Sequence, residues 1–372
     1  MRILNRWLLS FLTAVIFGAC FAVPASAAPY ISSDYYCLMD RSSSQLILSK
    51  NADTIRPVAS TTKMMTSIIT VEYAGLEEVA EVSRNADNTP EFTIGLRTGQ
   101  KISVAELLKA TLIRSSNDAA VVLAEHVAGE EALFAHLMSK KAFLLGCFNT
   151  HFVNASGLPA DGHYSTAYDL ALIGRYLLAS DYISELVATK QAEFKHPAYR
   201  QSITITNTNG LLGSYPGADG IKTGTTNAAG KCLVASASRK DRQLIAVVLK
   251  SSDRIGDCTR LLDYGFQASS LKKIVDSKLP FKRLKLINGE DLYIDIYPEE
   301  DVFLWEGEGS PDVQKKVKLN YQPEAPVQKG QKIGCLGVYA DGKLLKNVPL
   351  VCKKSVRKTN LVKKLFQVFL SR

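Results

Sequence analysis

The stretch Pro57-Val58-Ala59-Ser60-Thr61-Thr62-Lys63-Met64-Met65-Thr66-Ser67-Ile68-Ile69-Thr70-Val71 decides how the chain is read. From Lys63 to Tyr73 the run is mostly apolar and has the length of a helix rather than a strand. Ser60 and Lys63 stand at its start, and i,i+3 spacing puts them on one helical face with Cβ atoms about 5–6 Å apart. A serine hydroxyl is a poor nucleophile until a neighbouring base takes its proton. A lysine can be that base only where burial or a second cation lowers its pKa. The N-terminus of such a helix also turns backbone N–H groups toward developing negative charge. Other Ser-x-x-Lys matches, at Ser269/Lys272, Ser270/Lys273 and Ser355/Lys358, have no apolar helix behind them.

Outward from this helix, Tyr36 to Asp40 and Leu46 to Leu48 read as two strands around a polar turn. Val104 to Ile113, Ala119 to Val127 and Ala167 to Leu178 carry helical patterns with a buried face. Ile203 to Thr206, Lys231 to Ala237 and Leu244 to Leu249 are strand runs. Strands at both ends with helices between predict one sheet packed against a helical cluster. After Phe266 the pattern changes to short strand-like pieces (Leu284 to Ile287, Leu292 to Ile296, Val302 to Trp305, Gly337 to Tyr339) separated by Gly, Pro and Asp. That reads as a small all-β domain, with a boundary among polar residues between Ser269 and Lys278.

Two further motifs complete the candidate chemistry: Ser115-Ser116-Asn117 and Lys222-Thr223-Gly224. Lys222 is a candidate for the second cation that lowers the pKa of Lys63. Its motif follows Gly220 and precedes strand-rich sequence, as expected of a sheet edge along which an extended peptide could lie. A phosphate-binding loop is excluded, because the residue before Lys222 is Ile221 rather than Gly.

The 372 residues carry 45 Lys+Arg against 36 Asp+Glu, a formal charge of +9 that first suggests a polyanionic partner. The charge is uneven. Arg2 and Arg6 precede an apolar run from Trp7 to Ala19 that ends at Pro24 and Ala25-Ser26-Ala27, the pattern of a secretory signal cut after Ala27. Seven cations and no acid fall between Lys353 and Arg372, so residues 28–352 are formally neutral. An exported chain makes nucleic acid an improbable partner. Six cysteines follow the signal, and both disulfides and buried free thiols remain open for them, Cys232 with Cys258 included. Five histidines without ligand spacing and no Cys-x-x-Cys give no metal site, and no cofactor motif occurs.

Taken together, the three motifs resemble those of the D-alanyl-D-alanine carboxypeptidases, low-molecular-weight penicillin-binding proteins of the serine peptidase type. The resemblance spans about Tyr35 to Phe266 and includes Pro57 to Lys63, Ser115 to Ala119, Gly157-Leu158 with Gly162 to Ala167, and Gly217 to Gly224. It implies an α+β fold: a β-lactamase/penicillin-binding-type transpeptidase-like domain over residues 28–270, a sandwich-like β domain over 271–350, and a basic amphipathic tail over 351–372. It further implies that Ser60 is acylated by the penultimate D-Ala carbonyl of peptidoglycan stem peptides, with Lys63 as general base and Ser115 relaying a proton to the leaving D-Ala. Asn117 would bond the substrate backbone, Lys222 and Thr223 would hold the carboxylate side, and the N–H groups of Ser60 and Thr225 would form the oxyanion hole. Arg254 matches the family's arginine near the substrate carboxylate. Neither metal nor cofactor is implied, and β-lactams are expected inhibitors. Thr61 stands where the family more often has Leu, and Ser116 where it has Gly; neither change removes a reacting group. Asp118 and Asp169 are expected to be structural, and His151 and His163 to have no direct role.

In the tail, Asn360 is a candidate cap for a helix of about 12 residues, which at 1.5 Å each reaches about 18 Å, too short to span a bilayer. Leu361, Val362, Leu365, Phe366, Val368, Phe369 and Leu370 against Lys363 and Lys364 predict an in-plane anchor on an anionic membrane. The expected location is therefore the outer face of the cytoplasmic membrane. Two alternatives share the fold. A class A β-lactamase needs a deacylating glutamate after Ser-x-Asn, and no Glu occurs between Ala132 and Tyr182. A non-catalytic penicillin-sensing, wall-binding protein would have no need to keep Ser60, Lys63, Ser115 and Lys222 together.

Overall fold

The structure, a computed structural model, describes residues 28–307, 311–340 and 342–360. The signal and the tail helix fall outside the described residues. The centre of the first domain is an antiparallel sheet of β1 (Tyr35–Asp40), β2 (Leu46–Lys50), β7 (Ala218–Thr226), β8 (Gly230–Arg239) and β9 (Arg242–Ser251), ordered β2-β1-β9-β8-β7. Two small hairpins, β3 (Val79–Glu81) with β4 (Lys101–Ser103) and β5 (Gln191–Phe194) with β6 (Ile203–Thr206), lie apart from it.

Alternation along the strands explains why β8 and β9 look apolar throughout. Cys37, Met39, Cys232, Val234, Ile245 and Val247 point into one core, while Leu38, Leu233, Ala235, Leu244, Ala246 and Val248 point into another. A sheet buried on both faces has no polar side to display. The first core holds α1 (Lys63–Tyr73), α2 (Val104–Lys109), α3 (Asn117–Ala128), α4 (Glu131–Leu144), α5 (Ala167–Leu177) and α6 (Asp181–Ala188). On the second face lies α7 (Arg254–Ala268), whose Cys258, Leu261 and Leu262 meet the sheet and whose start is capped by Asp253.

All six cysteines in the described residues are free thiols. Cys232 and Cys258 sit in cores on opposite faces of the sheet, which removes the possibility of pairing them. Burial raises the pKa of both, leaving them unreactive packing groups.

Beyond α7 the regular elements of the described residues are all strands: β10 (Ser269–Val275), β11 (Lys282–Lys285), β12 (Tyr293–Pro298), β13 (Val302–Gly307), β14 (Val313–Leu319), β15 (Lys332–Ala340) and β16 (Lys343–Cys352). A five-stranded sheet β11-β12-β16-β15-β14 and the β10–β13 pair enclose a core of Val275, Ile296, Val302, Leu336, Val338 and Leu350. Trp305 of β13 leaves that core and joins the cluster of Leu38 and Leu261, while its backbone N–H donates to Gln45 Oε1 at 2.9 Å. The first stretch of the basic tail does not hang free. Val356 is buried and pairs with Val327, and Lys354 binds Asp291 at 2.6 Å, so residues 353–359 belong to the β domain.

Candidate active site

The turn before α1 is built by its own side chains. Thr61 Oγ1 donates to Val58 O and Thr62 Oγ1 to Ala59 O, both at 2.8 Å, holding Ala59–Thr62 in a tight 3-10 turn that carries Ser60 to the rim. Two glycines let other elements close on this turn. A Cβ at Gly157, whose φ is +84°, would fall 2.0 Å from Ala59 O, and one at Gly224 would fall 2.9 Å from Val58 O and 3.1 Å from Ser60 N. The Lys222-Thr223-Gly224 strand therefore lies directly against the nucleophile turn. It is the edge strand of its sheet.

Lys63 has no solvent exposure. Its Nζ lies 3.0 Å from Ser60 Oγ and 2.6 Å from each of two carbonyl oxygens, Asn117 Oδ1 and Ser156 O. Burial first, then the charge of Lys222, push its pKa well below the usual lysine value. A neutral amine has two N–H bonds and one lone pair. The two carbonyls take both N–H groups, which leaves the lone pair for the proton of Ser60.

Lys222, also buried, donates to Ser115 Oγ at 2.8 Å and to Thr223 O at 3.2 Å. Burial, followed by the charge of Arg254, brings its pKa down to about 7. Ser115 ends the irregular turn Ala110–Arg114 in a left-handed conformation, φ +70°, a strained backbone that aims its hydroxyl at Lys222. Arg254 reaches across from the start of α7 and donates to Thr225 Oγ1 at 2.9 Å and Gly224 O at 3.1 Å. All eight residues singled out from the sequence thus fall into one connected group around the β7 edge.

Asn117 is held on several sides by the protein itself. Its Oδ1 accepts from Lys63, its Nδ2 donates to Glu91 O at 3.0 Å, and its backbone N–H donates to Phe92 O at 2.9 Å. It ties Lys63 to the 90–92 loop. Asp118 holds the next residues, accepting N–H bonds from Ile94, Gly95 and Leu96 at 3.0–3.2 Å. Asp169 accepts from Asn149 N and Thr150 Oγ1, so both acids brace loops. His163 likewise supports the turn: its Nδ1 accepts from Val153 N, its Nε2 faces Thr62 Oγ1 at 2.8 Å, and burial lowers its pKa to about 4. Neither the Ser156 carbonyl nor Thr208, whose hydroxyl meets that of Thr223 at 2.7 Å, can be picked out from residue types alone. A main-chain oxygen leaves no mark on residue type, and a lone Thr belongs to no motif. Among the described residues, no group of three or more His, Cys, Asp or Glu side chains is placed to hold a metal ion.

A Ser–Lys pair at the head of a helix, its lysine buried, closed by a second Lys on a sheet edge, within this mixed fold, defines a penicillin-binding-type protein. Residues 22–253 match the family described as D-alanyl-D-alanine carboxypeptidase, and residues 270–358 match the C-terminal domain of penicillin-binding protein 5. The chain belongs to the D-alanyl-D-alanine carboxypeptidase family. It is 32% identical over 335 residues to D-alanyl-D-alanine carboxypeptidase DacF of Bacillus subtilis, covering 87% of this chain and 86% of that one. It is 32% identical over 354 residues to DacA of Escherichia coli, covering 91% and 87%. Among solved structures, penicillin binding protein 5 of Haemophilus influenzae superposes with a TM-score of 0.74 at 29% identity, covering 89% of this chain and 99% of that one.

Proposed function

We propose that the protein is a serine-type D-alanyl-D-alanine carboxypeptidase that removes the terminal D-Ala from peptidoglycan stem pentapeptides through an acyl-enzyme on Ser60. The observation that carries this reading is the hydrogen bonding of Lys63, whose two carbonyl partners leave its lone pair for the Ser60 proton.

The substrate lies as an added strand on the β7 edge, its carboxylate toward Lys222, Thr223 and Arg254. Ser60 Oγ attacks the penultimate D-Ala carbonyl carbon while its proton passes to Lys63 Nζ. The oxyanion receives the N–H groups of Ser60 and Thr225. As the C–N bond breaks, Ser115, backed by Lys222, hands its proton to the departing D-Ala amine and takes in return the proton that Lys63 received from Ser60, so Lys63 is again the free amine when water arrives. Water then attacks the ester and loses its proton to Lys63, and Ser60 Oγ leaves reprotonated with release of the shortened peptide. The same serine is expected to be acylated by β-lactams, which present a strained amide in place of the peptide bond.

The N-terminal signal pattern supports export, and the tail supports attachment to the outer face of an anionic membrane. No helix among the described residues is long and apolar enough to cross one. The enzymatic reading is tested by incubating the protein from Ala28 onward with labelled penicillin and with diacetyl-Lys-D-Ala-D-Ala, beside Ser60→Ala. Expected are labelling and D-Ala release in wild type alone; labelling that persists in Ser60→Ala refutes the assignment. Labelling without D-Ala release would favour the penicillin-sensing alternative.

A further inference from the structure

This inference rests on the carboxypeptidase reading and concerns which acyl side chain the enzyme accepts. A cavity of about 290 Å³ opens beside the nucleophile turn. One wall is Pro57, Val58 and Ala59, the residues that lead into Ser60; the other is Leu158, Pro159 and Ala160, in the loop that follows the Ser156 carbonyl. Thr226, a single residue beyond Thr225, also lines it.

That position fixes what can reach it. A peptide laid antiparallel on β7, with its carboxylate at Lys222–Thr223 and its scissile carbonyl at Thr225, runs upstream past Thr226, since paired strands advance by about 3.3 Å per residue. The cavity therefore serves the acyl side of the substrate and not the departing D-Ala. The methyl group of the penultimate D-Ala would leave most of it empty, so its occupant is the longer side chain of the residue before.

Charge narrows the class further. The cavity is lined by two titratable groups, Asp161 and His163. His163 is uncharged at neutral pH and occupied on both ring nitrogens by Val153 and Thr62. Asp161 is exposed, lines the cavity and has neither a hydrogen bond nor an ion pair among the described residues. Apolar walls ending in one unpaired carboxylate suit an aliphatic chain that ends in a cation.

We propose that this cavity is an acyl-side subsite for the aliphatic side chain of a diamino acid, with Asp161 pairing with its free terminal ammonium. The enzyme then discriminates stem peptides whose side-chain amine is free from those in which it is acylated, as it is after cross-linking.

The test compares kcat/KM for D-Ala release from Nα-acetyl-Lys-D-Ala-D-Ala, with a free side-chain amine, and from the diacetyl peptide. Wild type is expected to favour the free amine about fivefold, the scale of an exposed ion pair. The preference should shrink between 0.05 M and 0.5 M salt, where screening shortens the reach of the charge. Asp161→Asn should bring the ratio to about one and Asp161→Lys should invert it. A salt-independent ratio of one in wild type, or the wild-type ratio retained in Asp161→Asn, overturns the inference while leaving the carboxypeptidase reading intact. Release from neither peptide by wild type would overturn both.

Discussion

Lys63 Nζ stands 3.0 Å from Ser60 Oγ and 2.6 Å from both Asn117 Oδ1 and Ser156 O, so an amine that has lost its third proton and keeps its two N–H groups on those carbonyls meets the serine through its lone pair. A residue that cannot give up its charge cannot fill that role. Lys63→Arg keeps a cation and most of the volume but stays protonated. Removal of a general base costs about 10²–10⁴-fold, and penicillin acylation of Lys63→Arg, followed by stopped-time labelling, should fall within that range. Acylation within tenfold of wild type would exclude Lys63 as the base.

The two lysines give the pH profile opposite limbs. Lys63 acts as the free amine, so activity rises with pH as it deprotonates, at a pKa pushed well below that of an ordinary lysine. Lys222 acts as the cation that supports Ser115 and attracts the substrate carboxylate, so activity falls as pH passes its pKa of about 7. The alkaline limb of kcat/KM, which reports the free enzyme, should lie near that value. Lys222→Arg, always charged, should retain some activity and lose the limb. Stability moves the other way. The unfolded chain binds a proton at Lys222 more readily than the folded chain, so stability rises with pH between about 7 and the ordinary lysine pKa. Urea melts of wild type against Lys222→Met at pH 7 and pH 10 would measure it.

Much of this site could be read from the sequence because its groups are side chains in short ordered motifs, each beside a recognisable element: Ser60 and Lys63 before an apolar helix, Lys222 and Thr223 on a strand-like run. What could not be read is the shell that sets their chemistry. The carbonyls of Ser156, Glu91 and Phe92 come from loops whose approach depends on backbone geometry. Asn117 was legible as a member of the site, but its amide bonds inward to those carbonyls. The strands β8 and β9 were legible as apolar runs, whereas their burial on both faces depends on α7, which no motif announces. The first part of the tail was hard to read for a different reason: Lys354 and Lys358 look like membrane-facing charge in the sequence, whereas the fold sets Asp291 and Glu324 against them.

Gly157 is a position where an added methyl group reaches the active site without touching a reacting residue. Gly157→Ala would place Cβ 2.0 Å from Ala59 O at a φ of +84°, so either the turn carrying Ser60 or the Ser156 carbonyl must move. Left-handed strain alone costs about 1–3 kcal/mol. Expected are a Tm lowered by about 2–12 °C, at about 2–4 °C per kcal/mol for a domain of this size, and a penicillin acylation rate lowered by more than about tenfold. A variant that melts lower but acylates at the wild-type rate would separate the loop from the chemistry.

Asp118 is a neighbour of Asn117 with a separable function. Its buried carboxylate accepts the N–H groups of Ile94, Gly95 and Leu96, and Asn117 holds the same loop at Glu91 and Phe92. Asp118→Asn turns an NH₂ group toward those donors and should cost about 2–3 kcal/mol, the scale of losing a buried charge-assisted bond. Urea melts would give that loss. Because the loop anchors Asn117, which in turn holds Lys63, acylation should slow as well, whereas a purely peripheral loop would leave the rate alone.

The membrane anchor needs a cut at the right residue. Ending the chain at Cys352 would remove Val356 from its pairing with Val327, Lys354 from Asp291 and the Thr359 N–H from Asn288 O, so loss of binding after that cut could reflect a damaged β domain. Ending it at Asn360 removes the twelve residues 361–372, with Lys363, Lys364, Arg372 and the apolar face, and spares every one of those contacts. The chain 28–360 should melt like the chain 28–372, keep its D-Ala release, and no longer co-sediment with vesicles rich in phosphatidylglycerol. The longer chain should bind those vesicles and release them as salt rises, because headgroup attraction acts within a Debye length of about 10 Å at 0.1 M. Equal binding by the two chains would move the membrane contact to the β domain, whose remaining lysines would then have to supply it.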